Sequence, residues 1–189
     1  MSKIILDLCG GTGSWSKPYR DAGYDVRIIT FPEHDVRDYA PPENVYGILA
    51  APPCDHFSVM RCNTAKIPRD IDGALSVVKG CLDIIFQCKP VFWALENPQG
   101  MLRRFLGRPP WQFQPFEFGD QASKKTDIWG YYNIPKKNPV ELTSKTIEHQ
   151  KKHHIHIFPT AKEYPGVSRA GRRAITPPGF AQAFFKANQ

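Results

Sequence analysis

Three short runs of this sequence hold residue types that could do chemistry together. The run Ala51-Pro52-Pro53-Cys54-Asp55-His56-Phe57-Ser58 follows an apolar stretch, Val45 to Ala50, so Cys54 is expected on a loop at the carboxyl end of a strand. A thiolate is soft enough to add to an electron-poor carbon and later to leave. Carbon 6 of cytosine is such an acceptor, and addition there turns carbon 5 into a nucleophile. An ordinary thiol, with a pKa of about 8.5, is mostly protonated at neutral pH, so basic neighbours or a helix start would help it. His56 stands close enough in sequence to tune the thiol, and equally suits a surface or substrate-contact role.

The second run, Glu96-Asn97-Pro98, follows the apolar stretch Val91 to Leu95. A carboxyl group at a strand end could hydrogen-bond the ring nitrogen and amino edge of a base, and protonating that nitrogen makes carbon 6 electrophilic. The plain alternative is a helix-capping or surface acid. The third run, Asp7-Leu8-Cys9-Gly10-Gly11-Thr12-Gly13-Ser14, puts glycines where a chain turns sharply between strand and helix and comes close to a ligand. A dinucleotide fingerprint, G-x-G-x-x-G, is not met, because position 16 is Ser. A simple tight turn remains the competing reading.

The elements that would position these runs are legible in the apolar pattern. Lys3 to Leu8 reads as a buried strand, Trp15 to Ala22 as an amphipathic segment, and Val26 to Phe31 and Val45 to Ala50 as parallel strands. Between Asp70 and Lys89, Ile71, Ala74, Leu75, Val78, Cys81, Leu82, Ile85 and Phe86 recur at three and four, which predicts a helix with one apolar face. Cys81 falls on that face and Cys88 near its end, so packing is the expected role of both. A strand near Asp127 to Trp129 is expected as an antiparallel edge or hairpin. Tyr131 to Pro165 is polar and rich in turn formers, and reads as an excursion without a core element. Pro178 to Asn188 predicts a closing helix. Strands alternating with helices imply an α/β fold with a doubly wound, mostly parallel sheet and its site at the strands' carboxyl ends.

The 189 residues, 41% of them hydrophobic, suit one domain: a core over 1–130, a short basic insert over 131–175 and a helix over 176–189 that completes the core. Twenty-five Lys and Arg against 18 Asp and Glu leave a net charge of +7, which attracts polyanions without identifying one. No stretch approaches the ~20 apolar residues of a membrane span, and nothing indicates export. The five cysteines, Cys9, Cys54, Cys62, Cys81 and Cys88, show no C-x-x-C pairing, which fits a reducing, cytoplasmic setting and gives no reason to expect zinc. The run from His149 to His156 lacks acids and cysteines at ligand spacing and reads as a solvated basic loop.

Taken in order, Asp7 to Gly13, Pro52 to Ser58 and Glu96 to Pro98 resemble the first, fourth and sixth motifs of the cytosine-5 DNA methyltransferases, in a small, phage-type form. Phe118-Gly119-Asp120-Gln121-Ala122-Ser123-Lys124-Lys125-Thr126 resembles the eighth motif, Asp35-Val36 the third, and Thr176 to Phe180 the tenth. The resemblance implies a Rossmann-like fold that binds S-adenosyl-L-methionine. The cofactor residues would be Asp7, Leu8, Gly10, Gly11, Gly13, Ser14, Trp15, Asp35, Val36, Pro52 and Phe180. By the same resemblance, Cys54 adds to carbon 6 and Glu96 holds the cytosine, which leaves the duplex first. Substrate contacts would fall to Pro53, Ser58, Asn97, Gln121, Lys124, Lys125, Arg169 and Arg172.

Several positions depart from the family pattern. Cys9, Ser14 and Pro98 replace the residues usual there, and no acid ends the second strand, leaving Glu33 or a backbone group for the cofactor's ribose. Only Tyr131 to about Thr176 stands where a large recognition domain is usual. Lysines and arginines in that insert, with Tyr131, Tyr132, His153 and His154, would serve a compact contact with double-stranded DNA, without a membrane or an obligate protein partner. The setting implied is the cytoplasm of a prokaryotic or phage-infected cell. An RNA cytosine methyltransferase and a non-catalytic nucleic-acid-binding module of the same fold stay open. An amino-group methyltransferase is disfavoured, because Cys54 stands where that class stacks an aromatic on the base.

Overall fold

Near-continuous apolar runs in the central strands require cover on both faces, and that is what the chain builds. The computed structural model describes residues 2–58, 68–153 and 158–189. Six strands form one sheet: β1 (Ile4–Leu8), β2 (Asp25–Ile29), β3 (Val45–Ala50), β4 (Phe92–Pro98), β5 (Trp111–Phe113) and β6 (Thr126–Tyr131). Their order is β2-β1-β3-β4-β6-β5. The first four positions are parallel, and β6 is antiparallel to both its neighbours. The expected doubly wound, mostly parallel α/β sheet of Rossmann-like type is therefore present. From β1 the chain leaves to one side for β2 and returns to the other side for β3. The carboxyl ends of β1 and β3 thus flank the switch point at which open α/β sheets bind their ligands.

One face of the sheet packs against α2 (Ile71–Cys88), whose Val78, Cys81, Ile84 and Ile85 meet Leu6, Leu8, Ile48 and Leu95. The helix starts at Asp70, whose side chain accepts from the Gly73 N–H at 2.9 Å, and ends at Lys89 in the left-handed conformation. The opposite face, carrying Ile5, Leu49, Ala94 and Ile128, packs against Tyr19 of α1 (Lys17–Asp21) and Phe180, Ala181 and Phe184 of α6 (Pro178–Ala187). Strand neighbours alternate between the two clusters, as the pleat requires. At Gly130, with φ of 147°, β6 approaches β4 so closely that a Cβ would run into the Trp93 carbonyl.

Several expectations need correction. Helix α1 covers only five residues of Trp15 to Ala22, because Trp15 and Ser16 belong to the turn before it. Phe86 is 68% exposed: the apolar stripe of α2 has left the sheet by its last turn. Strand β4 does not stop before Glu96 but runs through to Pro98, since β6 pairs with it as far as Thr126. Strand β6 is antiparallel as expected and pairs with the preceding β5, but it is internal, and the edge is β5. The excursion after Tyr131 contains a ten-residue helix, α4 (Ser144–His153), which takes up the first part of the histidine-rich run; the shorter α5 (Arg169–Ala174) follows. His154, His156 and Cys62 lie outside the described residues. No helix among the described residues is long and apolar enough to cross a membrane.

Phe184 is fully buried against Trp15, Phe92, Tyr132 and Phe180. Phe184→Ala is expected to cost roughly 3–5 kcal/mol, read as a lowered urea midpoint. Phe86→Ala should leave the midpoint nearly unchanged, and equal effects would contradict this packing.

Candidate active site

The loop leaving β1 is shaped by its glycines and by one buried acid. Cys9 and Gly11 have positive φ (57° and 52°), and the Cys9 N–H reaches Ile29 O at 2.7 Å. The Gly13 N–H closes the turn on Gly10 O at 2.8 Å. A Cβ at Gly10 would collide with the Asp7 carboxyl group, whereas one at Gly11 would meet nothing within 4 Å. Inside the turn, the Ser16 hydroxyl donates to Asp7 Oδ2 at 2.5 Å. Asp7 Oδ1 and Trp15 Nε1 are buried without a partner among the described residues. Burial pushes the Asp7 carboxyl group up to about 6, against the opposing effect of the Ser16 hydrogen bonds and of Arg20.

The loop leaving β3 carries Cys54 and is held on three sides. Phe57 and Ser58 N–H groups turn back onto Cys54 O at 3.0 and 2.8 Å. Asn97, 1% exposed, donates its side-chain amide to Pro52 O at 2.9 Å. Arg69 donates to His56 O and Ser58 O at 2.5 and 3.0 Å, and the Asp70 N–H donates to His56 Nδ1 at 2.7 Å. His56 therefore ties the loop to the start of α2. On the remaining side the Met101 N–H reaches Phe57 O at 2.8 Å, and Ser58 bridges to Gly100.

Glu96 projects from the face of β4 opposite to Asn97, beside Lys124. Both line a cavity of about 290 Å³ that also takes in Asp120, Gln121, Phe158, Glu163, Arg172, Arg173 and Thr176. Cys54 and the glycine loop lie outside that lining. Electrostatically the three groups belong together. Burial raises the Cys54 thiol, the Lys124 ammonium lowers it, and Glu96 and Asp55 raise it further. Burial also raises Glu96, with Lys124 opposing and Asp127 adding to the rise. Asp127 itself is fully buried and held by Arg103 through two 2.6 Å bonds and by Gln112 at 2.8 Å.

Other expected site residues fall in less direct places. Leu8 and Phe180 are fully buried, the Phe180 ring stacking on Phe113 at 3.8 Å, and Trp15 packs on Phe180 at 5.8 Å. Val36 belongs to the core under α2, and Asp35 is paired with Arg37, which holds its carboxyl group down to about 2. Pro52 is buried, Pro53 is exposed, and Ser14 exchanges a 2.5 Å bond with Thr12. Both ends of the Gln121 amide are occupied by Glu141 O and the Thr143 N–H. Arg172 is tied to Pro159 O and Val167 O, while Lys125 and Arg169 are exposed. Tyr131 pairs with Trp93 at the opposite end of the sheet, and Tyr132 packs on Trp111 and Phe184, so neither stands at this edge. Arg69, Arg103 and Asp127 were not singled out by residue type or spacing. Their partners are main-chain carbonyls, or side chains distant in sequence.

No protein-family model matches this chain, and no curated protein does. Among solved structures it is similar to a protein assigned as a DNA modification methyltransferase and encoded within an E. coli prophage. Identity is 16% and the TM-score 0.49, over 75% of this chain and 52% of that one. The chain thus spans about half the length of that relative. A likeness at this level fixes no activity, and the chemistry rests on the chain's own side chains.

The buried Asp7 makes a pH-dependent contribution. Its folded pKa, about 6, lies above the 3.8 of an ordinary aspartate, so the stability it allows is complete below pH ~4 and is lost as pH rises through 6. Against Asp7→Asn, the wild-type chain should lose up to about 3 kcal/mol between pH 4 and 7, measured as the gap between urea midpoints. Parallel pH profiles of the two proteins would overturn this account.

Proposed function

We propose that this chain is an S-adenosyl-L-methionine-dependent DNA (cytosine-5) methyltransferase working through a covalent adduct at Cys54. The observation that carries the reading is the gathering of a thiol and a carboxyl group at the carboxyl ends of the paired strands β3 and β4, with the Lys124 ammonium acting on both. The carboxyl ends of β1 and β3 fit the cofactor: Asp7 Oδ1 lacks a donor that an ammonium group would supply, and the outer side of Gly11 is open. Asp7, Gly10, Gly11, Gly13, Ser14 and Pro52 would hold it, over a floor of Leu8, Trp15 and Phe180, with Asp35 and Val36 beyond. When bound, it supplies an electrophilic methyl group on a sulfonium.

The chain's own residues do the rest. Lys124 opposes the burial that disfavours the thiolate, and burial favours the protonated form of Glu96. As the Cys54 sulfur adds to carbon 6 of the cytosine, Glu96 passes its proton to ring nitrogen 3, and the electron pair moves toward carbon 5. After carbon 5 has accepted a methyl group, its proton passes to a solvent water, and the electron pair of that carbon–hydrogen bond restores the 5,6 double bond as the carbon 6–sulfur bond breaks. Cys54 leaves as thiolate, and the nitrogen proton returns to Glu96. Pro53, Ser58, Lys124, Lys125, Arg169 and Arg172 are assigned to contacts with the flipped nucleotide and its phosphates, whereas Asn97 and Gln121 hold loops in place.

Duplex DNA containing 5-fluorocytosine should trap a covalent adduct at Cys54, seen by mass spectrometry, because the carbon-5 proton cannot leave. Cys54→Ala should form none and transfer no label. Label entering RNA alone would sink the DNA reading. Removing the ammonium, as in Lys124→Met, should raise the Cys54 pKa and move the alkaline rise of kcat/KM to higher pH; an unmoved profile would contradict the role given to Lys124. Cofactor affinity should increase as pH rises through 6, when Asp7 ionises, and lose that dependence in Asp7→Asn.

A further inference from the structure

Helix α4 is attached to the body of the protein in an unusual way. A surface helix ordinarily lays an apolar stripe on the core, yet none of the described side chains of α4 belongs to either apolar cluster. The attachment is polar. Gln121 accepts from the Thr143 N–H at 2.9 Å and from the Thr146 hydroxyl at 3.3 Å, and Gln150 donates to Ser123 O at 2.9 Å. The one long apolar side chain of the helix, Ile147, is 39% exposed, together with Lys145, Glu148, Lys151 and Lys152. The strip that anchors α4 runs directly into Lys124, which lines the cavity beside Glu96.

We propose that α4 is the reading element of this protein, and that its outward face lies in the major groove of duplex DNA beside the flipped base. The inference rests on the methyltransferase reading for its setting. Three lysines against one glutamate suit a polyanion. Ten residues give a rod of about 15 Å, enough to cross a major groove about 12 Å wide. The outward residues have the chemistry of that groove: a glutamate accepts from the amino group of cytosine, and an aliphatic side chain meets the methyl group of thymine. Single-stranded nucleic acid is gripped by stacking on aromatic rings, and α4 contains no Phe, Tyr or Trp. Lys145, Lys151 and Lys152 hold phosphates, Ile147 and Glu148 face base edges, and Gln121 couples the register of the helix to the cavity.

Two measurements on the full chain test this. Affinity for a duplex is followed against salt for the wild type and for Lys145→Ala/Lys151→Ala. Each phosphate contact contributes about 0.9 to the slope of log K on log salt, so the double variant should be shallower by about 2. In parallel, the sequence context of methylated cytosines in a random duplex pool is read for Ile147→Ala and Glu148→Gln. Preference at one flanking position should relax by roughly 5- to 100-fold. These side chains are exposed, and unchanged thermal melting shows that the variants fold. Methylation with unchanged slope and context overturns the proposal, as does an equal slope loss on single-stranded DNA of the same length. A slope loss confined to duplex, from a wild-type chain that transfers no methyl group, supports the helix and overturns the thiol chemistry instead.

Discussion

The bond from the Asn97 side chain to Pro52 O is the constraint on which the site depends. Pairing between β3 and β4 ends at Ala50 and Leu95, and beyond it Pro52 and Pro53 have no N–H with which to continue a ladder. A side-chain amide replaces the missing main-chain donor, in a position 1% exposed where water cannot compete. Because Asn97 follows Glu96 directly, and neighbouring strand residues point to opposite faces, the bond that fixes the Cys54 loop also sets where Glu96 stands. The Cys54 thiol and the Glu96 carboxyl group are thereby placed by one short piece of β4, with Arg69 and Met101 bracing the loop from outside.

Burial acts against both groups in their charged forms, and the local charges decide how far. Lys124 favours ionised Cys54 and ionised Glu96 alike, while Glu96 and Asp127 each add negative charge nearby. Asp127 is tolerable in a fully buried position because Arg103 clamps it in a bidentate pair and Gln112 takes a third bond. That cluster joins α3 (Arg103–Leu106), β5 and β6 underneath the site. It supports the antiparallel end of the sheet as well as setting the field there.

What could be read from the sequence was whatever carries a residue-type signal at a regular interval. The boundaries of β3 and α2 follow from apolar runs and from three-and-four spacing, and Cys54 and Glu96 stand out because Pro-Pro-Cys and Glu-Asn-Pro end such runs. Helix α4 escaped because polar side chains attach it, so no apolar periodicity marks it. Arg69 escaped because its acceptors are carbonyls, which every residue possesses. Tyr131 and Tyr132 looked suited to contacts with DNA, but β6 runs on past Trp129 to Tyr131, and its antiparallel pairing with β4 carries both to the far end of the sheet.

The polar attachment of α4 also bears on how such a protein can diversify. Core side chains are constrained by neighbours on every side, and a change there lowers stability before it alters anything else. The outward residues of α4 meet no core neighbour, and the helix is kept in place by its Thr146 and Gln150, which bond to Gln121 and to the Ser123 carbonyl. Exchanging Lys145, Ile147, Glu148 or Lys151 therefore leaves both the scaffold and the catalytic edge intact. Substitutions can therefore accumulate on that outward face without passing through an unfolded ancestor, so the surface can change while the fold beneath it stays the same.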